Sequence, residues 1–127
     1  MTPIAAFISL SASTIKATPL TIPKKGKLIG CNLSASNSGG STQCFINSYL
    51  STSADTVTAI GPLNDNQNTS VLAALVGYSV PPATGGNGVN VNQYFPLNYR
   101  VEQGQILYHI GYSLSFAGLA WIILYLD

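Results

Sequence analysis

Few groups in this sequence could do chemistry. It holds one histidine, His109, one glutamate, Glu102, and three aspartates, Asp55, Asp65 and Asp127. A Ser-His-Asp set for acyl transfer can be drawn from His109, Asp55 or Asp65 and one of many serines. There is, however, no Gly-x-Ser-x-Gly elbow to expose such a serine at a strand-to-helix turn. His109 falls in an alternating run, where a half-buried structural histidine is expected, and Glu102 lies in a Glu-Gln-Gly turn as a solvated residue. One histidine and two cysteines fall short of zinc-site spacings. Asn64, Asp65, Asn66 and Asn68 gather oxygens in one loop, without the second carboxylate and closing glutamate of an EF-hand. Gly85-Gly86-Asn87-Gly88 lacks the Lys-Ser/Thr ending and following helix of a phosphate loop. The expectation is a binding and assembling protein, not an enzyme, with no catalytic residue, no metal and no cofactor.

Charge is scarce. Only 7% of the residues are charged, against about 25% in an average soluble domain, and the formal net charge is +1. Ser, Thr, Asn and Gln carry the polarity instead, and a surface so nearly neutral repels its copies weakly and favours association. Nucleic acid is excluded as the main partner, because phosphate binding needs many clustered cations and the chain has five. Lys24, Lys25 and Lys27 do cluster before an apolar run. They read as a solvated turn guarding a strand end or, as a sharper alternative, a docking patch for an acidic partner.

The elements that must position these residues are strands. Pro, Gly, Ser, Thr and Asn break the chain at short intervals, between runs rich in Val, Ile, Thr, Phe and Tyr. The runs predict strands at Ile4–Leu10, Ile15–Ile22, Lys27–Ala35, Gln43–Ser51, Thr56–Ile60, Ser70–Ser79, Leu97–Val101, Gln105–Leu114 and Leu119–Leu126. Val71–Val76 could be helix by its Ala and Leu; its length and Gly77-Tyr78 exit favour strand. Pro62–Asn68 and Pro81–Asn92 are long connecting loops of the kind Greek keys use. With no repeat and no linker, residues 1–127 are expected to form a single all-β domain, an antiparallel β-sandwich.

Cys31 and Cys44 flank Asn37-Ser38-Gly39-Gly40 symmetrically, so a hairpin closed there would bring them opposite one another. Spacing leaves open whether they bond. The Met1-Thr2-Pro3-Ile4 start lacks the basic residues and apolar core of an export signal, so free buried thiols are the expectation.

Leu119–Leu126 is apolar on both faces and must be covered on both, by the opposing sheet and a neighbouring subunit or by lipid. A transmembrane helix over Ile106–Leu126 is a second alternative. Against it stand Gly111, Ser113, Ser115 and Gly118 within the span and the alternation that precedes them. Tyr78, Tyr94, Phe95, Tyr99 and Trp121 could instead form a platform for stacking sugar rings, which keeps a glycan as an alternative ligand. Their more ordinary role is to fill a sandwich core.

Two stretches carry a resemblance. Thr18-Pro19-Leu20-Thr21-Ile22-Pro23-Lys24-Lys25-Gly26-Lys27-Leu28-Ile29-Gly30 has an early strand, a turn and the next strand. Tyr99-Arg100-Val101-Glu102-Gln103-Gly104-Gln105-Ile106-Leu107-Tyr108 has the strand, polar-Gly turn and strand of a late hairpin. With the closing apolar strand, the chain resembles the single jelly-roll domains of viral structural proteins, notably tailed-phage capsid decoration (cement) proteins and related spike or fibre domains. Cupins and tumour-necrosis-factor-like domains share this phrasing, but the histidine cluster of a metal cupin is absent. The resemblance implies a jelly-roll sandwich in the virion, assembled in the host cytoplasm. It also implies a homo-oligomer, a trimer, that clamps the subunits of a capsid shell. Trp121, Ile123 and Tyr125 are the expected oligomer interface, and Lys24, Lys25 and Lys27 the expected docking patch. The alternative on the same fold is a carbohydrate- or receptor-binding module of a spike or fibre.

Overall fold

Three prolines fall inside the described strands and mark which of these can lie at an edge, because proline has no N–H to give a second neighbour. The computed structural model describes residues 1–39, 44–54, 71–79 and 88–127, with backbone only at 78 and 79. Eight strands occur there: β1 (Thr2–Leu10), β2 (Lys16–Thr21), β3 (Gly26–Asn37), β4 (Cys44–Ser51), β5 (Val71–Ser79), β6 (Asn90–Val101), β7 (Ile106–Ser113) and β8 (Gly118–Leu126). They form two four-stranded sheets, ordered β1-β8-β3-β6 and β2-β7-β4-β5. Pro3, Pro19 and Pro96 lie on β1, β2 and β6, each at an edge.

All pairings are antiparallel and they nest: β1 with β8, β2 with β7, β3 with β6 and β4 with β5. Among the described strands only β4 and β5 are successive in sequence and also paired. The other turns are corners that pass the chain from one sheet to the other. Two expectations are corrected here. The Glu102-Gln103-Gly104 turn closes no hairpin, since β6 pairs with β3 while β7 pairs with β2 and β4. Gly104, at φ 82°, turns the chain there and donates to the Ile22 carbonyl at 2.8 Å. Likewise β3 and β4 belong to different sheets, so no hairpin sets Cys31 opposite Cys44. Cys31 lies beside Phe95 and Leu124, Cys44 beside Ser79, and both thiols are free and buried.

Strand bounds otherwise follow the alternation, with Val71–Val76 extended in β5. The strand expected from Leu97 starts at Asn90, because edge position makes Pro96 and the polar Asn90, Asn92 and Gln93 acceptable. The expected strand Thr56–Ile60 and most of the two long loops lie outside the described residues.

Leu20, Ile22, Leu28, Cys31, Leu33, Leu50, Leu107, Ile122, Leu124 and Leu126 fill the space between the sheets. One end of the sandwich is fastened by polar groups. Asn37 on β3 donates through Nδ2 to Ser113 Oγ on β7 (3.1 Å), and its Oδ1 accepts from the Val89 N–H (2.9 Å). The Ser113 hydroxyl donates in turn to the Phe116 carbonyl at 2.6 Å. Asn37, Val89 and Ser113 are all buried, so this cluster links the two sheets where a lost partner is costly. Asn37→Ala should lower the unfolding free energy by about 1–3 kcal/mol, measured by urea denaturation. Asn92→Ala, which breaks only the exposed Ser34–Asn92 bond, should stay within about 0.5 kcal/mol of the parent.

Candidate functional site

Inside the second sheet His109 is fully buried, and its Nε2 lies 2.8 Å from Ser48 Oγ, itself fully buried. Alternation along β4 and β7 turns both side chains toward the first sheet. Gly111, opposite Ser48, leaves room for Ile8 and Leu10 to pack across them. Burial pushes the imidazole down to about 4, so it is neutral at pH 7. The two carboxylic residues described, Glu102 and Asp127, are exposed elsewhere on the surface, and Asp55 and Asp65 lie outside the described residues. The His–Ser pair is therefore sealed from any substrate and works as a fastener between β4 and β7.

No group of three His, Cys, Asp or Glu side chains that could hold a metal occurs among the described residues. The loop Asn64–Asn68 lies outside them. Burial pushes the Cys31 thiol up to about 12, which removes its nucleophilicity. Glu102 is a turn residue whose N–H is capped by Gln105 Oε1 at 3.0 Å.

The surface is more informative. Along β8, Ala120, Ile122, Leu124 and Leu126 enter the core, while Leu119, Trp121, Ile123 and Tyr125 point outward. The expected interface residues Trp121, Ile123 and Tyr125 thus share one outer face. Pairing with β1 sets Phe7 beside Trp121, Ala5 beside Ile123 and Pro3 beside Tyr125. Phe7 is 63% exposed and Trp121 40%. Together with Ser34, the residues Ala5, Phe7, Trp121 and Ile123 line a shallow apolar groove. On the far side, the Tyr94 ring lies over Gly30, where any side chain would collide with it, and 6.1 Å from the Tyr125 ring. Sequence reasoning missed Phe7, and it placed Tyr94 with Trp121 in a sugar platform and not at the oligomer interface. The alternation of Ile4–Leu10 does place a large apolar Phe7 opposite its core face, which was the available signal.

The five-aromatic platform is corrected. Tyr94 and Trp121 are outward on the first sheet, whereas Phe95 and Tyr99 turn inward and pack on the core. The Tyr78 side chain is outside the description.

Lys24, Lys25 and Lys27 are exposed at one end of the sandwich. Lys25 makes a 4.0 Å ion pair with Glu102, both side chains largely in water, so it contributes little. The β3–β6 register adds Arg100 directly across from Lys27. Four of the chain's five cationic side chains thus gather here, beside Glu102 and Asp127.

Ile106–Leu126, the candidate membrane span, forms β7, a bend and β8, and no helix among the described residues is long and apolar enough to cross a membrane. Compared with known proteins, the chain matches no family model and no curated protein.

The depressed basicity of His109 has a consequence for stability. Between pH 6.5 and about 4, the unfolded chain takes up a proton that the folded chain refuses. Stability is therefore full above the ordinary value and falls as pH drops, by about 1.4 kcal/mol per unit at most, levelling off below pH 4. Urea midpoints measured from pH 7.5 to 4 should show this slope, and His109→Gln should flatten it. An unchanged slope in the variant would place the titrating group elsewhere.

Proposed function

We propose that this chain is a non-enzymatic structural protein of a virus particle, a capsid decoration protein that stabilises the shell as a symmetric oligomer, a trimer by its resemblance. The observation that carries the reading is the nested strand order. Rolling up a ribbon of four antiparallel strand pairs would give two sheets ordered β1-β8-β3-β6 and β2-β7-β4-β5, and this order supports reading the sandwich as an eight-stranded jelly roll. Fold alone does not assign function. Further support comes from the near-neutral composition and from the outward apolar side of β1 and β8, which suit a protein covered by partners.

The mechanism is stabilisation by binding. Contacts available only on the assembled shell lower the free energy of that state and shift disassembly against it. The cationic end, Lys24, Lys25, Lys27 and Arg100, is the docking patch toward an acidic shell surface. Complementary charge at an exposed rim acts chiefly on encounter rate and salt dependence.

Electron cryomicroscopy of particles from the source virus should show the chain repeated at symmetry positions on the shell. Particles lacking it should rupture at lower temperature. A chain found only at the tip of a fibre would contradict the decoration role and favour receptor binding. With stripped particles, Lys25→Glu combined with Lys27→Glu should slow rebinding and remove most of its sensitivity to salt between low and physiological ionic strength. Unchanged rebinding would move the docking patch elsewhere.

A further inference from the structure

We infer that the outer face of β1 and β8 is the surface through which copies of this chain associate; this rests on the assembly reading above. The two faces of the molecule differ. In the second sheet β4 is buried on both sides, Phe45, Asn47, Tyr49 and Ser51 included. In the first sheet the outward residues of β1 and β8 include Phe7, Leu119 and Trp121, which are large, apolar and exposed, with the half-buried Ile123 and Tyr125 beside them.

Area, charge and edge chemistry point to a second copy as the occupant. Taken at about 200 Å² for a whole large side chain, the exposed fractions of Phe7 (63%), Tyr94 (50%), Trp121 (40%) and Leu119 (38%) leave about 400 Å² of apolar surface open. A standard interface takes about 800 Å² from each partner, a little over half of it apolar. The patch therefore supplies the apolar part of one such interface, with Ser9, Ser34, Ser36 and Asn92 as its polar rim.

Charge separates a copy from a different partner. No Lys, Arg, Asp or Glu occurs in β1 or β8, nor anywhere from Met1 to Ile15. Identical copies meeting at this face bring no like charges together, whereas the cationic cluster that would meet an acidic partner lies at one end of the sandwich.

The adjoining edge fits the same occupant. Natural edge strands are blunted by charge, proline or bulges. β2 has Lys16 and Pro19, β6 has Pro96 and Arg100, and β5, with neither charge nor proline, has a register shift where it meets Leu50 and Ser51. β1 has Pro3 alone, at its start, and leaves Ile4 to Leu10 unguarded beside the apolar face. A neighbouring copy covers both.

Trp121 is the only tryptophan in the chain and stands within the patch, so its fluorescence reports directly on this face. The experiment is a dilution series of the full chain, followed by sedimentation velocity together with Trp121 emission and acrylamide quenching. The oligomer should show blue-shifted emission and severalfold weaker quenching than the dilute monomer. Phe7→Asp should weaken association at least about tenfold, or about 1.4 kcal/mol. Ser9→Arg, which adds charge at an already exposed position, should do the same while keeping the circular dichroism of the parent. An oligomer whose Trp121 stays accessible, unaffected by either variant, would overturn this interface and leave the assembly reading standing. A chain monomeric at every concentration would overturn both. A monomer whose Trp121 emission responds to oligosaccharides would give the face to a glycan.

Discussion

The pairing of the first strand with the last holds this structure together. All nine residues of β1 find partners on β8, from Thr2–Leu126 to Leu10–Gly118. That pairing places β8 between β1 and β3, so its inner residues Ile122, Leu124 and Leu126 become the middle of the core. The remaining pairs follow inward along the chain until β4 meets β5. Such contacts join residues far apart in sequence, and closing them must precede any reward from the core, which makes folding slow and cooperative.

The same arrangement explains where polar groups are tolerated. His109 with Ser48, and Asn37 with Ser113 and Val89, sit where strands of opposite sheets or neighbouring strands must be held in register. Each is buried with a hydrogen-bonded partner, so each penalises misaligned packing more than it adds net stability. Among the described residues exposed charge is confined largely to one end, and the broad outer side of β1 and β8 carries no charged side chain. Surfaces of two kinds, one cationic and one apolar, are thereby kept apart on a small domain.

Much of the fold was legible because strand alternation is local. Ile4–Leu10, Gln43–Ser51 and Leu119–Leu126 announced themselves by their alternation or apolar run. What escaped was which strands pair. A Glu-Gln-Gly or Asn-Ser-Gly-Gly turn reverses the chain equally well within a sheet or between sheets, so two turns read as hairpins proved to be corners. The Cys31–Cys44 opposition fell with the second of them. β6 was begun late because Pro96 reads as a break until its edge position is known. The site was half legible: Trp121, Ile123 and Tyr125 alternate onto one face in any β8, whereas Phe7 and Tyr94 join them only through pairing with strands more than twenty residues away.

The most direct measurement is hydrogen–deuterium exchange of the intact chain at concentrations below and above its association range. The account predicts that slowing on association is centred on peptides from β1 and β8 and reaches the neighbouring parts of β3 and β6, with β2 and β5 unchanged. Slowing centred on the second sheet, or none anywhere, would contradict it.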